Sequence, residues 1–209
     1  MASVSGDALE RVWEPARASG SLGSATFEEL NNHAKGYIPN TFELPAHAQC
    51  VDLGTGVGVP GVLLALQYPD TNWRLLDANA KRCEIADRAV RAVSLTDRVT
   101  VVHGRAEDYA HEATWRSSHD LVVARSFGPP AELAECALPL LVLGGSLILS
   151  VSSETAAVWK SGDLSELAGV VVASWATPYG RYIRVQREDE YISASLPRRQ
   201  AARRRNPLF

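Results

Sequence analysis

The chain has 209 residues, 46% of them hydrophobic and 22% charged, and a formal net charge of −3. That length suits one domain able to bury a sizeable core, and the composition excludes a low-complexity or fibrous chain. Three cysteines are too few and odd in number for a disulfide scaffold, and the longest uncharged apolar run, residues 137–151, is too short to span a bilayer and holds Pro139, Gly144 and Gly145.

Charge is unevenly spread. From Arg181 onward eight arginines stand against Glu188, Asp189 and Glu190, so the body is acidic and the end is basic. Such an end either meets a polyanion or simply keeps the chain soluble. The first ten residues carry Asp7 and Glu10 and no apolar stretch, so a cytoplasmic protein without a secretory leader and without a membrane span is expected.

Taken in order, the chain predicts an N-terminal helical segment (1–45), a central domain (46–190) and a basic tail (191–209). A helix is expected over Asp7 to Ala18, carrying Trp13. Thr26-Phe27-Glu28-Glu29 reads as a capping box that starts a second helix, running to about Tyr37. Strand and helix signals then alternate. Strands are expected at Ala48 to Leu53, Trp73 to Leu76, Val99 to His103, Asp120 to Ala124 and Ser146 to Val151, the last entered through Gly144-Gly145. Helices are expected at Val59 to Gln67, Ala80 to Val93, Ala106 to Ala110, Pro130 to Leu138, and between Ser153 and Leu167. Alternation of this kind implies a parallel sheet with right-handed crossovers and helices on both faces. Val170 to Trp175 and Tyr182 to Arg187 are two further strands, and Thr177-Pro178-Tyr179-Gly180 between them is too short for a parallel crossover, so they pair antiparallel.

The chemistry centres on Asp52-Leu53-Gly54-Thr55-Gly56-Val57-Gly58. A buried strand runs into three alternating glycines and then a helix headed by Pro60, so a ligand can approach bare backbone N–H groups. The dinucleotide fingerprint G-x-G-x-x-G is not met, because Val59 stands where it requires glycine. Asp52 would also repel a pyrophosphate, whereas it suits a cationic amino-acid ligand. The pattern D-x-G-x-G-x-G looks like motif I of the class I methyltransferases that bind S-adenosylmethionine.

Other candidate residues follow the strand ends. Asp77, after the second strand, either accepts hydrogen bonds from a ribose diol or caps the helix that starts near Ala80. Ala106 and Glu107, after the third strand, either meet an adenine edge or form an ordinary acidic helix start. Arg125, after the fourth strand, either pairs with a cofactor carboxylate or phosphate or lies on the surface. The five histidines show no metal-ligand spacing, and no nucleophile elbow or Walker loop is present, so no metal site is expected.

These residues together resemble the bacterial 16S rRNA guanine-N7 methyltransferases, the glucose-inhibited division protein B family. The marks are Asp52 to Gly61 with its Val59-Pro60-Gly61 ending, Leu75-Leu76-Asp77 with Lys81-Arg82, Gly104-Arg105-Ala106-Glu107, Ala124-Arg125-Ser126-Phe127, and the ending Leu196-Pro197-Arg198-Arg199 with Arg203-Arg204-Arg205-Asn206-Pro207-Leu208. The resemblance implies an α/β fold: a Rossmann-like class I methyltransferase with a seven-stranded mixed sheet, a terminal antiparallel hairpin and helices on both faces. It implies S-adenosyl-L-methionine as cofactor, and Gly54, Val59, Ala106, Glu107 and Arg125 match the family's contact positions. Asp52, Thr55, Gly56, Gly58 and Asp77 join them from the glycine-turn reading. The implied partner is 16S rRNA or the small ribosomal subunit, met by a monomer through Arg198, Arg199, Arg203, Arg204 and Arg205. Guanine N7 already carries a free lone pair, so no catalytic side chain is expected and methyl transfer rests on proximity. Trp13-Glu14, His33-Ala34-Lys35-Gly36 and Val151-Ser152-Ser153 depart from the family's pattern on the substrate side. A methyltransferase acting on a small molecule and a non-catalytic RNA-binding protein on the same fold are the alternatives.

Overall fold

The computed structural model describes residues 4–209. A seven-stranded sheet forms its centre, in the order β3-β2-β1-β4-β5-β7-β6. The strands are β1 (Gln49–Leu53), β2 (Asn72–Asp77), β3 (Val99–His103), β4 (His119–Arg125), β5 (Leu141–Val151), β6 (Gly169–Thr177) and β7 (Gly180–Arg187). β1 to β5 pair in parallel, while β7 pairs antiparallel with both β5 and β6. The expected parallel sheet closed by an antiparallel hairpin is therefore present.

The central strands are buried on both sides because their side chains alternate between two cores. Cys50 of β1, Leu75 of β2, Leu121 and Val123 of β4 and Ile148 of β5 face one core. Against them pack α1 (Val4–Ala18), α2 (Phe27–Lys35), α3 (Gly61–Gln67) and α4 (Ala80–Ala92). Val51, Leu53, Leu76, Val122 and Leu147 face the other, which is covered by α5 (Ala106–Tyr109), α6 (Pro130–Ala137) and α7 (Ser153–Ser161). A last short helix, α8 (Gln200–Arg205), follows the strands.

The predicted capping box is formed: the Thr26 side chain accepts from the Glu29 N–H, and the Glu29 side chain accepts from the Thr26 N–H. Three expectations shift. α3 starts at Gly61 rather than Val59, with Pro60 at its cap, because the glycine turn continues through Val59. β5 begins at Leu141, so Gly144-Gly145 lie inside the strand; the register with β4 jumps from His119↔Leu141 to Leu121↔Ser146, and this bulge absorbs them. α7 ends at Ser161, capped by Gly162, and only a 3₁₀ turn at Ser165–Leu167 follows. No helix among the described residues is long and apolar enough to cross a membrane.

Candidate functional site

Strand order reverses between β1 and β4, and in such a sheet ligands settle at the C-terminal strand ends beside that reversal. The three glycines bend the chain there. Gly54, Gly56 and Gly58 have φ of +68, +60 and +98°, a region that L side chains avoid. Their roles differ. A Cβ at Gly58 would lie 2.8 Å from Val62, and one at Gly61 only 2.3 Å from Leu75 and 2.7 Å from Asp52 Oδ2, so these two serve packing. A Cβ at Gly56 would meet nothing within 4 Å. Gly56 is therefore the bare point that a ligand can approach.

The turn's amides are not waiting for a phosphate. The N–H groups of Gly54 and Thr55 both donate to the Leu76 carbonyl, and those of Gly58 and Val59 both donate to the Thr55 carbonyl. Gly56 donates to Asp77 Oδ2 at 2.8 Å and Gly61 to Asp52 Oδ2 at 2.8 Å. Of the expected row of free N–H groups, those of Gly54, Thr55, Gly56, Gly58 and Val59 are thus taken by internal bonds, which separates this turn from an anion cradle.

The two carboxylates divide the work. Asp52 is wholly buried and lies beneath the turn, where Oδ2 also accepts from the Thr55 hydroxyl at 2.7 Å. Burial raises its pKa to about 6, against the pull of those two hydrogen bonds and of Arg125. It clasps the turn and lines none of the clefts around it, so the expectation that it meets a cationic ligand is not matched by its position. Asp77 lines a cleft at the strand ends and also accepts from the Asn79 N–H at 2.8 Å. The cap of α4 is Asn79, whose side chain accepts from the Arg82 N–H, so Asp77 is not the helix cap.

Three clefts meet at Ser126. The first, of about 250 Å³, is walled by Gly54, Asp77, Ala106, Glu107, Phe127 and, from α8, Arg203. A second lies over Gly54, Thr55, Gly56 and Val59 and is closed by Leu22, Arg82 and Arg125. A third opens on the far side of Phe127, between His33, Ser150, Ser152, Thr155, Trp159 and Arg181. The structure thus gathers Gly54, Thr55, Gly56, Val59, Asp77, Ala106, Glu107 and Arg125 around two adjoining clefts that share Gly54, Arg82 and Ser126, and leaves Asp52 and Gly58 behind them.

Arg125 forms no ion pair with any described residue. Burial, helped by the Arg125 charge, lowers the pKa of the nearby His33 to about 4, so that imidazole is neutral at physiological pH. Burial pushes the Tyr37 phenol far above its usual range; its hydroxyl hydrogen-bonds with the Ala124 carbonyl at 3.0 Å and Ser150 Oγ at 3.1 Å. Among the described residues no three His, Cys, Asp or Glu side chains are gathered to hold a metal ion.

The basic tail, expected either to meet RNA or to keep the chain soluble, turns part of itself inward. Arg198 forks onto Glu135 of α6, with Nε at 2.9 Å and Nη2 at 2.8 Å, and that carboxylate is wholly buried. Arg203 is buried and reaches Glu107, and Arg204 reaches Glu132 of α6. Arg199 and Arg205 remain exposed.

Sequence reasoning missed Ser126, whose φ of +53° is strained for a non-glycine residue and aims the chain between the three clefts. It also missed Trp13, whose Nε1 donates to the Val57 carbonyl at 2.9 Å and ties α1 to the glycine turn. Ser126 stands in the Ala124-Arg125-Ser126-Phe127 stretch, but neither its role nor that of Trp13 is visible locally, since both depend on contacts across the fold.

Among solved structures the chain is similar to a provisionally assigned S-adenosyl-L-methionine-dependent methyltransferase of Methanococcus maripaludis, 20% identical, with a TM-score of 0.60 over 88% of this chain and 95% of that one. It is also similar to a geranyl diphosphate C-methyltransferase of Streptomyces coelicolor, 10% identical, with a TM-score of 0.56 over 75% of this chain and 78% of that one. The fold is that of the class I methyltransferases, as the sequence implied. A family model described as GidB, rRNA small subunit methyltransferase G, matches residues 26–163, and the chain belongs to that family. Its relatives include the ribosomal RNA small subunit methyltransferase G of Oenococcus oeni, 34% identical over 142 residues (67% of this chain, 57% of that one). Another is that of Carboxydothermus hydrogenoformans, 40% identical over 99 residues (47% of this chain, 42% of that one). The chain thus spans about half the length of the curated relatives it matches.

Proposed function

We propose that the protein is an S-adenosylmethionine-dependent methyltransferase acting on N7 of a guanine in 16S ribosomal RNA. The observation that carries this reading is the glycine turn itself: the amides of Gly54, Thr55, Gly56, Gly58 and Val59 are spent internally, its open face is Gly56, and the two adjoining clefts carry Arg125 on the Gly56 side and Asp77 and Glu107 on the other. This arrangement suits a nucleoside bearing an amino acid better than a pyrophosphate.

Asp77 would accept from ribose hydroxyls, the backbone at Ala106 and Glu107 would meet the adenine edge, and Arg125 would pair with the amino-acid carboxylate. Gly54, Thr55, Gly56 and Val59 line the path between them, while Asp52 and Gly58 keep the turn in shape. Bound there, the cofactor supplies an electrophilic methyl group on a sulfonium. The groups beside the third cleft are poor bases, with His33 lowered to about 4 and Tyr37 held protonated. That suits an acceptor such as guanine N7, whose lone pair needs no deprotonation, and leaves alignment as the chain's contribution. The exposed Arg199 and Arg205, and Arg204 with its side chain 66% exposed, supply phosphate contacts that add affinity without sequence selectivity. The protein would act as a monomer in the cytoplasm, where ribosomal subunits are.

The purified protein should transfer a labelled methyl group from S-adenosylmethionine to small subunits, or to 16S rRNA, from a strain lacking it. Mass mapping of the product should place the label on one guanine. Labelling of an RNA-free metabolite extract alone would reject the RNA substrate, and no binding of S-adenosylhomocysteine by calorimetry would reject methylation altogether.

A further inference from the structure

Two stretches outside the family match also reach these clefts: residues 4–25 reach the cleft over Gly56, and residues 164–209 reach the cleft at Asp77 and Glu107, where they bring a buried charge. The Arg203 side chain is only 3% exposed, yet it lines the hollow at Gly54, Asp77 and Glu107. Its Nη2 lies 3.5 Å from Glu107 Oε1, the same oxygen that Arg105 Nε meets at 3.0 Å. Its Nη1 donates to the Arg198 carbonyl. Arg198 is in turn fixed by its fork onto the buried Glu135, with its own N–H donating to Glu135 Oε1 at 2.6 Å. A chain of contacts therefore runs from the core of α6 through Arg198 and Arg203 to Glu107.

We propose that Arg203 is a positioning residue for the cofactor: from the C-terminal segment it fixes the Glu107 side of the cleft, so that cofactor affinity depends on a residue of the basic tail. The proposal rests on the cofactor reading given above. It assigns Arg203 away from RNA, because a guanidinium this buried cannot meet a phosphate without leaving Glu107. The charge on Glu107 fits such a role. Burial alone would raise its pKa, but its own backbone N–H, Arg105 and Arg203 outweigh burial and lower it, so the carboxylate stays ionised beside the hollow.

The test is calorimetric binding of S-adenosylhomocysteine to the full chain and to Arg203→Gln, Arg203→Lys, Glu107→Gln and the Arg203→Gln/Glu107→Gln double variant, with urea midpoints measured in parallel. Arg203→Gln should weaken binding by about tenfold, and the double variant should bind no worse than Glu107→Gln, since contacting residues are not additive. Arg203→Lys, which restores the charge but not the planar fork, should fall between wild type and Arg203→Gln. Affinity for single-stranded RNA and its salt slope should stay unchanged in Arg203→Gln. A folded Arg203→Gln that binds S-adenosylhomocysteine as wild type does, with only a lower urea midpoint, would overturn the proposal and leave the cofactor reading intact. Should Arg203→Gln not fold, Arg203→Lys decides: weaker binding upholds the proposal and unchanged binding overturns it. A wild-type protein indifferent to S-adenosylhomocysteine overturns both.

Discussion

Gly61 has no room for a side chain, since a methyl there would sit 2.3 Å from Leu75 Cδ2 and press on the Asp52 carboxylate. Gly61→Ala should therefore cost about 1–3 kcal/mol in urea denaturation, the usual range for overpacking. Gly56→Ala meets no neighbour and should cost only the strain of a positive φ, about 1–2 kcal/mol, while its effect falls on the ligand. Asp52 gives a pH signature. Its pKa is raised from 3.8 to about 6 by burial, so the fold favours its protonated form. The stability it contributes is fully present below pH 3.8 and is lost as pH rises through about 6. Asp52→Asn keeps an acceptor for Thr55 and Gly61 and cannot ionise. The difference in unfolding free energy between wild type and Asp52→Asn should change by roughly 2–3 kcal/mol across that window and be flat above it. A flat difference throughout would show that Asp52 is not held in a desolvated state.

The glycine turn is also tied to α1, which lies outside the family match. Trp13 is wholly buried, packs in the core that α3 and α4 share, and bonds the Val57 carbonyl. Trp13→Phe removes the hydrogen bond and keeps much of the volume, so it should cost about 1 kcal/mol of stability. Trp13→Ala should cost about 3–5 kcal/mol, as large-to-small core changes do. Both should weaken S-adenosylhomocysteine binding, because the carbonyl they release belongs to the turn. A helix that served stability alone would lower the urea midpoint of Trp13→Phe and leave binding unchanged.

At the scale of the whole molecule, the acidic body and the basic tail are complementary parts of one structure. Tail arginines pair with Glu107, Glu132 and Glu135, and Glu135 is wholly buried. Removing one partner of a buried pair leaves a stranded charge and costs about 3–5 kcal/mol. Truncation after Leu196 should thus lower the thermal midpoint and weaken cofactor binding, as well as reduce RNA affinity. Replacing Arg199 and Arg205 together should lessen the salt dependence of RNA binding and leave the thermal midpoint near its wild-type value. If the truncated chain melted as the full chain does, the pairs seen here would contribute nothing to the fold.

The sequence by itself determined the alternation of strands and helices, the antiparallel closing pair and the glycine turn. Each of these is written in short-range signals: apolar runs, capping residues and the length of one connection. It also placed Asp77, Glu107 and Arg125, because residues at strand ends follow from where strands stop. Element boundaries shifted where a turn or bulge overrode local preference, as at Val59-Pro60 and Gly144-Gly145. Only the tertiary structure decided that Asp52 lies behind the turn rather than in the hollow, that Trp13 and Ser126 shape the site, and that Arg198 and Arg203 face inward. Those assignments depend on which groups are desolvated and what charge faces them, and burial belongs to the packed chain, not to any stretch of its sequence.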